Sequence, residues 1–228
     1  MRVFTHARAS LGQRFIRPAM LNIIHHPLID DELSHLRDPE CGSQEFRRRV
    51  RRVASLMVPQ VTADLPAVEV PCNTPLEATT GRRIRRPVTL LPVLRAGLGF
   101  LDGFLDLMPQ ASVAHIGLAR NEETLKPEPY YLKHPPNLEA HDIIILDPML
   151  ATGGSAVEAI RTLSEAGARH IRCAFLVAAP EGVARVESRF PDVPVFTAAL
   201  DRCLNERGYI LPGLGDAGDR LFGTHSIP

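Results

Sequence analysis

The 228-residue chain carries 26 Lys plus Arg against 26 Asp plus Glu, a balance that leaves no global field to draw in a nucleic acid or an anionic membrane. Its length suits one large domain with a core big enough to need no disulfide or metal staples. Cys41, Cys72, Cys173 and Cys203 form no C-x-x-C pair, which argues against a zinc or redox-dithiol motif and fits reduced thiols in a cytoplasm. No apolar run reaches the roughly 20 residues of a membrane span.

Residues 1–19 hold Arg2, Arg8, Arg14 and Arg17 and no acid, a composition shared by frayed basic tails, misassigned starts and mitochondrial presequences. Met20 then opens a short apolar segment, Leu21-Asn22-Ile23-Ile24, that predicts a first strand. Over 45–61 Phe46, Val50, Val53, Ala54, Met57, Val58 and Val61 recur at helical spacing and predict an amphipathic helix. Its arginines, Arg47 to Arg49 with Arg51 and Arg52, suit a nucleic-acid backbone, a solvated face or an oligomer surface, and the neutral total favours the last two.

From residue 88 onward short apolar runs alternate with helical segments. Strands are predicted over 88–94, 112–118, 142–147, 171–177 and 193–197, and helices over 99–108, 154–166 and 181–190. Helices long enough to cross between parallel strands make this an α/β fold with a mostly parallel central sheet and flanking helices. Two stretches break the alternation. Residues 119–136, with Pro127, Pro129, Pro135 and Pro136, read as a protruding hairpin or lid. Residues 204–228, glycine-rich and aperiodic, read as a structured loop region rather than an element.

The chemistry concentrates where strands end. Asp147-Pro148-Met149-Leu150-Ala151-Thr152-Gly153-Gly154-Ser155 runs from a buried strand through a small-residue loop into a helix, where backbone N–H groups and the helix dipole favour a phosphate. An ordinary strand-to-helix turn capped by Thr152 or Ser155 is the alternative. Asp147 suits sugar hydroxyls or metal-bound water, or else caps the loop. No Lys follows the glycines, so this is not a nucleoside triphosphatase P-loop. After the 88–94 strand, Arg95-Ala96-Gly97-Leu98-Gly99 sets a cation at a second carboxyl end and predicts a second anion pocket. In the lid, Arg120 and Lys126 are placed to close over a polyphosphate. Gly213-Leu214-Gly215-Asp216-Ala217-Gly218 satisfies G-x-G-x-x-G, but too little chain follows for a dinucleotide-binding unit, so its backbone is free to read the edge of a planar base. The histidines form no metal array.

The 147–155 run resembles the phosphoribosyl-diphosphate loop of uracil phosphoribosyltransferases, in the form with Pro after the first acid. Four further stretches resemble the same family in the same order: 91–99 (LPVLRAGLG), 120–127 (RNEETLKP), 177–182 (VAAPEG) and 208–223 (GYILPGLGDAGDRLFG). The resemblance covers roughly 20–228, implying one phosphoribosyltransferase domain after the basic extension. It implies transfer of the phosphoribosyl group of 5-phospho-α-D-ribose 1-diphosphate to uracil, giving UMP and diphosphate. Arg95, Arg120 and Asp147 would act in catalysis. Phosphoribosyl diphosphate would be held by those three with Pro148, Met149, Leu150, Ala151, Thr152, Gly153, Gly154, Ser155 and Asp216, and uracil by Ile210, Gly215, Asp216 and Ala217. Magnesium would travel mainly on the sugar diphosphate, with no dedicated protein ligand. The family also implies GTP as an activator and a homodimer or homotetramer, with neither nucleic acid nor membrane as partner. Ala119 and the arginine-rich 81–86 segment depart from the family pattern and bear on lid packing and assembly. A regulator that keeps the fold but binds nucleotide or RNA, and transfer to another base with Arg202 or Arg207 meeting an orotate carboxylate, are the competing readings.

Overall fold

The computed structural model describes residues 20–120, apart from the Arg120 side chain, and 127–224. The basic extension 1–19 and the lid residues Asn121, Glu122, Glu123 and Lys126 lie outside the described residues. Strands β1 (Leu21–Ile23), β4 (Val88–Leu94), β5 (Ser112–Val113), β6 (His115–Arg120), β7 (Pro127–Lys133), β8 (Asp142–Leu150), β9 (His170–Ala178) and β10 (Val195–Leu200) build the central sheet. Its order is β1-β10-β9-β8-β4-β6-β7, with β5 beside the start of β4. Every pairing is parallel except β6 with β7.

The parallel sheet is buried on both faces, so β8 reads as a continuous apolar run whose side chains alternate between two cores. Ile144 and Leu146 pack with helices α1 (Pro27–Arg37), α2 (Ser43–Val61), α3 (Leu98–Leu107) and α6 (Ala217–Phe222). Ile143 and Ile145 pack with α4 (Gly154–Glu165) and α5 (Pro180–Arg189). Helix α2 buries the apolar stripe read from its spacing. Its arginines are partnered within the chain: Arg49 and Arg52 with Glu32, Arg48 with Glu45, Arg51 with Asp106, and Arg47 with the Leu221 carbonyl. Arg47, Arg49, Arg51 and Arg52 tie α2 to its neighbours, while Arg48 pairs within the helix.

Prolines mark where the sheet opens. Pro92 falls where the outer partner of β4 changes from β5, at Thr89 and Leu90, to β6, at Val93 and Leu94. There no ladder donor is required on that side. The β4–β8 ladder ends at Pro92 and Leu146, and beyond it β8 continues beside β9 alone, with Pro148 passed over between the Asp147–Phe175 and Met149–Val177 pairs. From β4 the chain proceeds outward to β6 on one side and to β8, β9 and β10 on the other, so β4 and β8 flank the point where the strand order reverses. Ligands of open α/β sheets bind at that point, outside the carboxyl ends.

Residues 119–136 form the expected hairpin as far as they are described, β6 pairing antiparallel with β7. Helix α1 has no counterpart among the predicted elements, nor does a ribbon of β2 (Ala67–Asn73) with β3 (Ala78–Ile84) that stands apart from the main sheet, largely exposed. The expectation that 204–228 lacks regular elements is corrected. A two-stranded pair, β11 (Cys203–Leu204) with β12 (Ile210–Leu211), and the six-residue α6 occur there, too short to produce periodicity.

Candidate active site

A cleft of about 310 Å3 sits at this reversal point. Arg95 and Ala96 enter from the end of β4, Asp147, Met149 and Ala151 from the end of β8, and Gly208 to Ile210 with Gly215 to Gly218 from the C-terminal region. Arg95, Asp147, Met149, Ala151, Ile210, Gly215, Asp216 and Ala217, spread over more than half the chain, therefore share one space. Pro148 and Leu150 alternate away from it, Leu150 into the core beneath α4 and α5, so any contact they make with a ligand runs through their backbone. Thr152, Gly153, Gly154 and Ser155 follow as the turn into α4, outside the lining of that cleft. A larger hollow of about 550 Å3, bordered by Asp142, His170 and Arg172, lies at the opposite, amino ends of β8 and β9, away from these motifs.

The turn into α4 is built for close approach. Its N-cap is Gly153, in the left-handed region at φ 74°, with no side-chain cap. Neither Thr152 nor Ser155 caps α4, so the cap expected of an ordinary turn is not formed; both are exposed. A Cβ on Gly153 would lie 2.8 Å from the Gly182 carbonyl, and one on Gly182 would lie 2.4 Å from the Ala151 carbonyl. The first turn of α5 thus abuts the loop backbone to backbone, and Arg185 donates from Nη1 to the Thr152 carbonyl at 3.3 Å. That buttress leaves the uncapped, positive end of a twelve-residue helix open to an anion.

Asp147 lines the cleft, and its Oδ1 accepts from the Met149 N–H at 3.2 Å, which is the loop-capping contact read for it. Burial pushes its carboxyl up to about 7 from an ordinary 3.8, against the opposing pull of that hydrogen bond. Arg95 keeps 62% of its side chain exposed and has only loose company: Asp219 Oδ1 at 3.7 Å, Thr224 Oγ1 at 3.5 Å and the Phe222 ring at 6.0 Å. Such a guanidinium is available to a ligand. Asp216 caps α6 by accepting from the Asp219 N–H at 2.9 Å. Arg120 ends β6 opposite Pro127, and its side chain lies outside the described residues. Arg202 and Arg207 are exposed and do not line the cleft.

Residues with no sequence reading hold the glycine loop in place. Asp201, buried just past β10, accepts from the Gly213 N–H and from both Nη atoms of Arg37, while Arg37 Nη1 also donates to the Gly213 carbonyl. Arg220 donates to the carbonyls of Leu36, Asp38, Cys41 and Leu214 and lies 4.3 Å over the Phe46 ring. Glu181 accepts from the Leu204 N–H at 2.9 Å, so α5 buttresses this region as well as the α4 turn. The only available signal was the charged Asp201 ending the apolar run 195–200; Arg37, after Ser34-His35-Leu36, carried none. Among the described residues no group of three or more His, Cys, Asp or Glu is placed to hold a metal, and no helix is long and apolar enough to cross a membrane.

The family model "Uracil phosphoribosyltransferase" matches residues 23–224. A uracil phosphoribosyltransferase of Ligilactobacillus salivarius is 52% identical over 203 residues, 89% of this chain and 97% of that protein. The AQ2163 protein of Aquifex aeolicus superposes with a TM-score of 0.85 at 35% identity, covering 92% of this chain and all of that one. Adenine phosphoribosyl transferase of Trypanosoma brucei, solved with AMP, pyrophosphate and ribose-5-phosphate, shares the fold at 14% identity, with a TM-score of 0.54 over 80% of this chain and 84% of that one.

Proposed function

The chain belongs to the uracil phosphoribosyltransferase family, and we propose that its cleft joins uracil to the ribose of 5-phospho-α-D-ribose 1-diphosphate. The observation that carries the reading is the convergence of Arg95, Asp147 and the Gly215–Ala217 backbone on one space beside the uncapped start of α4. Each element suits one part of the substrates: a helix end for the 5-phosphate, a carboxylate for ribose hydroxyls, a guanidinium for the diphosphate, and backbone donors and acceptors for the base edge.

In the reaction, N1 of uracil bonds to the anomeric carbon as the bond from that carbon to the diphosphate oxygen breaks. The electron pair leaves with the diphosphate and the N1 proton is lost. The ribose passes through a cation-like state while negative charge grows on the leaving group, so positioning and electrostatics do most of the work. Arg95 stabilises the leaving charge, and Arg120, by the family resemblance, meets it from the hairpin end. The α4 turn holds the 5-phosphate, supplying binding energy remote from the reacting bond. Asp147, in the lining of the cleft, would accept from water around a magnesium carried by the substrate. When bound, that ion spreads the diphosphate charge.

GTP activation and assembly as a homodimer or homotetramer belong to the same reading, supported by family membership. The unpaired thiols of Cys41, Cys72, Cys173 and Cys203 suit a reducing, cytoplasmic setting. The test is UMP and diphosphate formation from labelled uracil and phosphoribosyl diphosphate, with and without magnesium and GTP. Product that requires both substrates is expected; its absence with folded protein and magnesium would overturn the reading.

A further inference from the structure

We propose that Arg37 and Asp201 form a positioning pair that sets how strictly the enzyme reads its base, an inference that rests on the functional reading above. Both start from rigid elements: Arg37 is the last residue of α1, and Asp201 follows β10 with its N–H bonded to the Ala178 carbonyl at 2.8 Å. Their contact is a two-point fork, Nη1 to Oδ2 at 2.8 Å and Nη2 to Oδ1 at 2.7 Å, with 27% and 7% of the two side chains exposed. The pair also holds both backbone polar groups of one residue. Gly213 donates to Asp201 Oδ2 at 2.9 Å and accepts from Arg37 Nη1 at 2.8 Å.

Gly213 lies between Ile210 and Gly215, which both line the cleft. Its φ is 59°, and a Cβ there would sit 2.2 Å from the Ile210 carbonyl, so the chain doubles back on itself at this residue. A peptide at the pivot of so tight a turn passes any rotation on to Gly215, Asp216 and Ala217. Gly213 contributes one polar group to each of the two peptides that meet at this pivot, and the part-buried, bidentate ion pair holds both, so that rotation is blocked. The backbone groups facing the base then keep one direction, as discrimination between hydrogen-bonding patterns requires. Neither Arg37 nor Asp201 lines the cleft, so the pair acts through Gly213.

The experiment uses the full chain with Asp201→Asn, and separately the double variant Arg37→Met with Asp201→Asn, which leaves no orphaned charge if the single change fails to fold. Steady-state assays vary uracil and phosphoribosyl diphosphate in turn, with cytosine as a competing base, well below each variant's melting temperature. The expected result is a uracil KM raised about tenfold, a phosphoribosyl diphosphate KM within about twofold, and a uracil-over-cytosine ratio in kcat/KM lowered about tenfold. A uracil KM within about twofold of wild type, or both KM values rising in proportion with selectivity intact, overturns the proposal. Wild-type protein that makes no UMP overturns the functional reading itself, and this inference with it.

Discussion

Gly182→Ala places a methyl where there is no room, and the obstruction lies on the proposed phosphate turn. The new carbon would sit 2.4 Å from the Ala151 carbonyl, 2.8 Å from the Leu150 carbonyl and 3.0 Å from Leu150 Cγ. Ordinary contact lies near 3.5 Å, so α5 and the turn must part by about 1 Å. The obstructing atoms are mainly backbone, and Ala151 lines the cleft, so the displacement reaches the substrate. Overpacking of this kind costs about 1–3 kcal/mol. A misplacement of about 1 Å in a catalytic site costs on the order of 100-fold in rate. We therefore expect kcat/KM for phosphoribosyl diphosphate to fall roughly 10- to 100-fold, with a melting temperature several degrees lower. Steady-state kinetics and differential scanning fluorimetry read the two effects. Gly42→Ala is the control, because a Cβ there meets nothing within 4 Å. Gly182→Ala with kinetics and melting temperature equal to those of Gly42→Ala would refute the buttress.

Arg95→Ala should lower kcat about 100-fold, as expected for removing a donor that acts mainly in the transition state. Its melting temperature should barely change, since the exposed guanidinium has only long contacts; near-normal turnover would sink the assignment. Asp147, raised to about 7 by burial, should make kcat/KM climb as pH rises through about 7 in a pH–rate profile, and Asp147→Asn should flatten that limb. Its linkage to stability has the opposite sign: a raised carboxyl contributes stability fully present below about 3.8 and lost as pH rises through about 7, so Asp147→Asn should gain melting temperature over wild type above that range. Arg220→Met strands the carbonyls of Leu36 and Leu214 and removes the stacking over Phe46, so denaturant unfolding should show a loss of about 2 kcal/mol or more.

Strands β4, β6, β8, β9 and β10 were legible because a parallel sheet buried on both faces writes itself as short apolar runs between helices. Helix α2 was legible by its stripe. The boundaries moved where partners decided them: β8 runs on to Leu150 because β9 keeps pairing past Pro148, although the apolar run stops at Asp147. Helix α1 went unread even though Ile29, Leu33 and Leu36 lie at helical spacing behind Pro27, a helix-start signal in a short and charged segment. The β2–β3 ribbon is largely exposed, so no buried alternation marks it.

The chemistry on offer could be read from residue order alone: a glycine turn at the end of a buried strand, a lone arginine after another, and a glycine loop in the 208–223 stretch. Each depends on residue type and near neighbours, which short-range sterics and the helix dipole make readable. It took the folded chain to bring the three to the β4–β8 reversal, to set Gly182 of α5 behind the proposed phosphate turn, and to close Arg37 and Asp201, 164 residues apart, on Gly213. Those are long-range contacts in which one partner alone carries no local pattern, because a buried charge becomes meaningful only when the fold brings it its counter-ion.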